Sequence, residues 1–192
     1  SRVGEVLRLY CKALTGRNVS VQTTDALTEK GIGWINEHRA TTEGTSIYLP
    51  DVMERFHDKD ENFAAMKVFA TFQAGYIEFG SFDLDLSRPP SVLDGSLERL
   101  AATDTPAVTA MERFYDRFPD RKLISDLFTI TEAHRVDAAI KRDYAGVRRA
   151  LVRLQQLELD RRPDPQTLPL REAFVENLVR VSLDGANLVR WP

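Results

Sequence analysis

The chain has 192 residues, a formal net charge of −3, 43% hydrophobic residues and 29% charged ones, the balance of an ordinary globular protein. That length suits a single domain, taken here as residues 1–192, and the acidic balance argues against a general nucleic-acid binder. No apolar run approaches the roughly 18 residues that suggest a membrane span, so no membrane partner is expected.

The opening "SRVGEVLRLY" has no charged leader ahead of an apolar run, so no signal peptide is expected. The chain begins without Met and stops at "LVRWP", as a piece of a longer protein would. A helix is predicted over about Val3 to Leu14, with Val6, Leu7, Tyr10 and Leu14 on one face and Gly16 near its end. The lone cysteine, Cys11, lies within that apolar pattern and reads as a small buried hydrophobe. One thiol cannot form an internal disulfide, which fits a reducing cytoplasm. The sequon at Asn18 carries no weight without a secretory signal.

"NVSVQT" alternates like a short strand, and "ATTEGTSIYLP" reads as a turn around Glu43 and Gly44 followed by a strand from Ser46 to Leu49, stopped by Pro50. Together they predict a small antiparallel sheet. The next helix is expected to start near Asn62 as its N-cap, with Phe69, Phe72, Tyr76 and Phe79 sharing one face. A connector containing Pro89 and Pro90 follows. Thr105 and Pro106 suit the start of a helix ending at Phe118 and Pro119. A long helix is expected from about Asp120 to Asp143, with Leu123, Leu127, Ile130 and Ile140 among its apolar positions. Gly146 is read as the interruption before a helix that lines up Val147, Leu151 and Leu154. "RRPDPQ" reads as a turn, and Pro169 opens a last helix burying Phe174, Leu178 and Val181. The fold class is therefore mainly α, an α+β arrangement of six to seven helices with a small sheet.

Several stretches carry ligand-like spacing. Asp58, Asp60 and Asn62 match the opening of a calcium loop, but Phe63 stands where Gly is required and Phe69 where the bidentate Glu belongs. Asp83, Asp85 and Ser87 resemble the Asp-x-Ser-x-Ser metal motif of von Willebrand A domains with the middle Ser replaced, and read as a solvated loop. No phosphate-binding Gly-x-x-x-x-Gly-Lys run and no Gly-x-Ser-x-Gly elbow occurs. "FQAGY" occupies the position of a zincin helix, in which two His four residues apart bind zinc and the Glu between them activates water. Here Phe72, Gln73 and Tyr76 stand at those places, and even a carboxylate from Glu132 would leave zinc one oxygen ligand. No metal and no cofactor are expected at this helix. A hydrolase with ligands converging from His38, His57 or His134 with Glu132 remains the alternative.

The charge is uneven: Arg135 to Arg162 holds eight basic residues against four acids, leaving −7 on the remainder. Such a run is either the solvated face of helices or a docking surface.

The order of "TSIYLP", "NFAAMKVFATFQAGYIEFGSF", "DLFTITEAHRVDAAIKRDYAGVRR" and "LPLREAFVENLVRVSLDG" resembles the N-terminal region of the NorD/CbbO family, over about Thr45 to Gly185. These are von Willebrand A-containing activation proteins that work with MoxR-type AAA+ ATPases. In the family the helix reads like His-Gln-x-Gly-His and the later one like Glu-Asp-x-Arg-x-Asp. Here the histidines fall on Phe72 and Tyr76, with Gln73 and Gly75 kept, and the later motif falls on Glu132, Ala133, Arg135 and Asp137. The resemblance implies a degenerate zincin-like scaffold kept for packing and surface, with Tyr76 bonded to Glu132 where a metal once bridged the helices. It also implies a non-catalytic, cytoplasmic adaptor that recruits an AAA+ hexamer to a client metalloenzyme, Rubisco or nitric oxide reductase. The client-binding A domain would lie beyond Pro192. Arg135, Arg142, Arg148 and Arg149 are the docking candidates, Arg148 and Arg149 first.

Overall fold

The computed structural model describes residues 2–24, 40–84, 109–183 and 189–191. Among them are six α-helices and one three-stranded sheet, so the chain is mainly helical with a small sheet. No helix among the described residues is long and apolar enough to cross a membrane. The chain divides into two compact units: residues 1–82 with 135–162, and residues 83–134 with 163–192.

The first unit is organised around one helix. Helix α1, Arg2–Thr15, buries Leu7 and Cys11, while Val6 is 49% exposed, so Cys11 takes the inner place that Val6 was expected to hold. Gly16, at φ +63, ends it, its N–H donating to the Lys12 carbonyl at 3.0 Å. Strands β1 (Ser20–Thr23), β2 (Thr41–Thr42) and β3 (Ser46–Leu49) then form a sheet in the order β1-β3-β2. The sheet is mixed, not antiparallel: β1 pairs with β3 in parallel and β2 with β3 antiparallel. The separations explain it. Only Glu43, Gly44 and Thr45 join β2 to β3, a hairpin turn, whereas β1 and β3 are far enough apart in sequence for the crossover that a parallel pair needs.

Helix α2, Lys59–Glu78, starts earlier than expected, because Asp58 is the N-cap and accepts from the Glu61 N–H at 2.9 Å. Asn62 has another task. Its Oδ1 accepts from the backbone N–H of Arg55 and of Phe56, and its Nδ2 donates to the Phe56 carbonyl, which pins the incoming loop. The buried side chains of α2 are mostly small: Ala65, Ala70, Thr71, Ala74 and Gly75, with Met66, Val68 and Ile77. Burial on two sides explains the composition. One side packs on α1 and the sheet, through Leu7, Cys11, Ile47 and Leu49. The other packs on Val136, Ile140, Val147, Leu151 and Leu154. The expected aromatic stripe is thus not the core itself. Phe69 packs against the first cluster and Phe72, Tyr76 and Phe79 against the second, all half-buried, because two close helix contacts leave room only for small groups at the centre.

Helix α4, Arg121–Asp143, contributes its last turns to this unit, after helix α3 (Ala110–Tyr115) of the other. Helix α5, Ala145–Asp160, completes it. The break between α4 and α5 falls at Tyr144, φ −120 and ψ 69, and Gly146 lies inside α5. Tyr144 leaves the helical path with its ring 6.2 Å from Phe79 and its hydroxyl donating to Glu78. Burial, and then the Glu78 carboxylate, hold that phenol protonated well above its ordinary range.

In the second unit α3 is capped by Thr109 and Glu112 in a reciprocal capping box; the earlier Thr105 and Pro106 lie outside the described residues. Phe114 packs edge-on to Phe118, with centroids 5.3 Å apart, and is 6.1 Å from Phe128 on α4. A short 3-10 turn, Pro165–Thr167, precedes helix α6, Leu170–Leu183. The inner face of α6 is turned away from the expected one, on which only Leu178 is half-buried. Ala173, Glu176 and Asn177 are buried, whereas Phe174 is 47% and Val181 40% exposed. The buried polar groups are all satisfied: Arg180 donates to Glu176 at 3.1 Å and to the Pro163 carbonyl at 2.9 Å. Asn177 donates to the Arg190 carbonyl and accepts from the Arg190 N–H. That clasp holds the C-terminal residues against the helix, with Trp191 stacked on Phe174.

Candidate functional site

Phe72, Gln73 and Tyr76 all lie on α2, half-buried, with the Phe72 and Tyr76 rings tilted at 57° and 6.1 Å apart. Phe72 and Tyr76 flank the apolar cluster of Val136, Ile140 and Val147. Gly75 between them faces α4 closely: a Cβ there would stand 2.9 Å from Val136 Cγ1 and 3.3 Å from Ile140 Cδ1. Glu132, half-buried on α4, belongs to the second compact unit. Among the described residues no three His, Cys, Asp or Glu side chains are gathered closely enough to hold a metal. His57 and His134 are exposed, His134 Nδ1 lying 3.2 Å from the Ser182 carbonyl, and His38 lies outside the described residues. The calcium-like run is committed to the start of α2, with Asp58 capping it and Asn62 bonded to the loop. Of the second motif Asp83 is described, and Asp85 and Ser87 lie outside the described residues. Cys11 is fully buried, and burial pushes its thiol up to about 11, which disfavours the nucleophilic thiolate.

The four docking candidates separate into two pairs. Arg135 donates through Nη2 to the Phe79 carbonyl at 2.9 Å, closing the C-terminal end of α2, where Phe79 is the C-cap. Arg142 forms a fork with its neighbour Asp143, Nε and Nη2 each 2.7 Å from a carboxylate oxygen. These same bonds, donated by Arg142 and accepted by Asp143, raise the Arg142 pKa and lower that of Asp143. Arg148 and Arg149 are different. Both are exposed on α5, and neither has an ion pair or hydrogen bond among the described residues. They share that helix face with Val152, which is 47% exposed.

Beside them lies a groove of about 250 Å³ between α2 and α5. Its floor is made of Ala64, Ala65, Ala150 and Leu154, with Gly146 and Arg149 along the α5 edge. Phe56, in the loop before α2, and Glu61 on α2 form the other side, and Arg153 pairs with Glu61 while its guanidinium sits 5.1 Å from the Phe56 ring centroid. Arg55 makes a parallel clasp, pairing with Glu158 and covering Phe69 at 5.1 Å. Sequence reasoning missed the groove. Its residues come from stretches more than 80 positions apart, and the signal that could have hinted at it was the run of small residues facing each other on two helices.

Neither a known family's sequence profile, nor a curated protein, nor a solved structure matches the chain.

Proposed function

We propose that the chain is a non-catalytic, cytoplasmic docking module of an activator that recruits a MoxR-type AAA+ ATPase hexamer to remodel a client metalloenzyme, Rubisco or nitric oxide reductase. The client would be held by a downstream von Willebrand A domain. The motif order that resembles the NorD/CbbO family supports this reading, as does the substitution of Phe72 and Tyr76 for two imidazoles. The observation that carries it is the pair Arg148 and Arg149 on the exposed face of α5, without an ion pair or hydrogen bond among the described residues, in a basic segment whose other candidates are engaged within the chain. Exposed cations without internal partners are the ones left to steer and hold an acidic partner surface.

The test is binding of the purified hexamer to the double variant Arg148→Glu and Arg149→Glu. Association is expected to weaken by about tenfold or more and to lose most of its salt dependence. The control Arg142→Glu, whose charge is already matched by Asp143, should change binding far less. Unchanged binding by the double variant at low salt would sink the reading.

A further inference from the structure

We infer that the groove between α2 and α5 is a peptide subsite that takes one branched apolar side chain of a partner protein flanked by carboxylates. The inference deepens the docking reading and rests on it only for who the partner is.

Three observations converge. First, size: about 250 Å³ is smaller than the usual range for cofactor or drug-sized ligands, and suits a single large side chain. Second, the lining is divided by polarity. Ala64, Ala65, Ala150 and Leu154 offer an apolar floor, whereas the α5 edge presents Arg149, which has no ion pair or hydrogen bond among the described residues. On the opposite side Glu61 is already matched by Arg153, so the charge left to a visitor is positive. An apolar anchor next to an Asp or Glu is the complementary chemistry.

Third, Gly146 has no local reason to be glycine. It lies in the first turn of α5, its φ is not positive, and a Cβ added there would meet nothing within 4 Å. Alanine would favour the helix. Gly146 does line the groove, so a bulky side chain at this edge is the change that would narrow it. Gly75 shows the contrast, since there the glycine is demanded by Val136.

The experiment is an amide NMR titration of the whole chain with the capped peptide Asp-Glu-Leu-Glu-Asp. Shifts are expected to cluster on Ala64, Ala65, Gly146 and Ala150. Replacing the peptide's Leu by Ala should weaken binding about tenfold, from the apolar surface lost. Arg149→Glu should weaken it about fivefold. Gly146→Leu should abolish the shifts while leaving the helical circular dichroism intact; were that variant to misfold, Arg149→Glu, a surface change, carries the test. Absent or scattered shifts, equal binding of the Ala peptide, or a single-stranded oligonucleotide taking the same amides would overturn the proposal. The two readings fail separately. If Gly146→Leu leaves hexamer binding intact while the Arg148 and Arg149 reversal abolishes it, the groove falls and the docking face stands. If the peptide binds and no MoxR-type hexamer does, the groove stands and the partner assignment falls.

Discussion

Gly75 packs so close to Val136 that even one methyl group would have to displace a fully buried side chain. Gly75→Ala is therefore expected to lose about 1–2 kcal/mol in urea unfolding, overpacking outweighing the gain in helix propensity. Cys11 gives a pH signature. Its thiol is raised from 9.0 to about 11 by burial, so the folded state disfavours the thiolate. The resulting stability is fully present below pH 9.0 and disappears as the pH climbs through about 11, because the unfolded chain ionises first. Iodoacetamide should accordingly label Cys11 at the rate of global or local opening, and prompt labelling at pH 8 under native conditions would contradict its burial. The sequence alone made Cys11 a buried hydrophobe and Phe72 and Tyr76 poor ligands, since those are properties of the side chains themselves. It did not show why Gly75 is glycine, because the reason is a neighbour more than 60 positions away.

At the scale of elements, the loop before α2 is held by Asn62 rather than by the Asp58 cap. Asn62→Ala removes three side-chain bonds to Arg55 and Phe56 and should cost about 1–3 kcal/mol, with the loop before α2 losing amide-exchange protection first. Gly146→Ala should instead stabilise the chain by about 0.5 kcal/mol, because α5 gains a better helix former where nothing crowds it. A loss of stability there would mean that the glycine serves the fold. Element boundaries were largely legible: α1, β3 and α4 lie close to where composition and caps placed them. Faces were not. On α6 the apolar spacing of Phe174 and Val181 pointed inward, yet Glu176 and Asn177 are buried, because Arg180 and the Arg190 backbone satisfy them. On α2 the large aromatics moved to the flanks because helices approach from two sides.

For the whole molecule, the decisive quantity is the charge that remains after internal pairing. Much of the basic segment is matched inside the chain, by Asp137 on Lys141, Asp143 on Arg142 and Glu61 on Arg153. A raw count of basic residues overstates the field that a partner meets. Elemental analysis of the purified chain is expected to find well under one zinc per chain; stoichiometric zinc that is lost on replacing His57, His134 or Glu132 would favour the hydrolase alternative. The sequence by itself determined the helical class, the short strand before α2 and the absence of imidazole at Phe72 and Tyr76. Each depends on residue type or near-neighbour spacing. Only the tertiary structure decided that the sheet is mixed, that Arg135 and Arg142 are engaged while Arg148 and Arg149 have no partner among the described residues, and that a groove opens beside them. Those outcomes depend on which distant segments meet, and burial and pairing energies are set by such meetings rather than by local pattern.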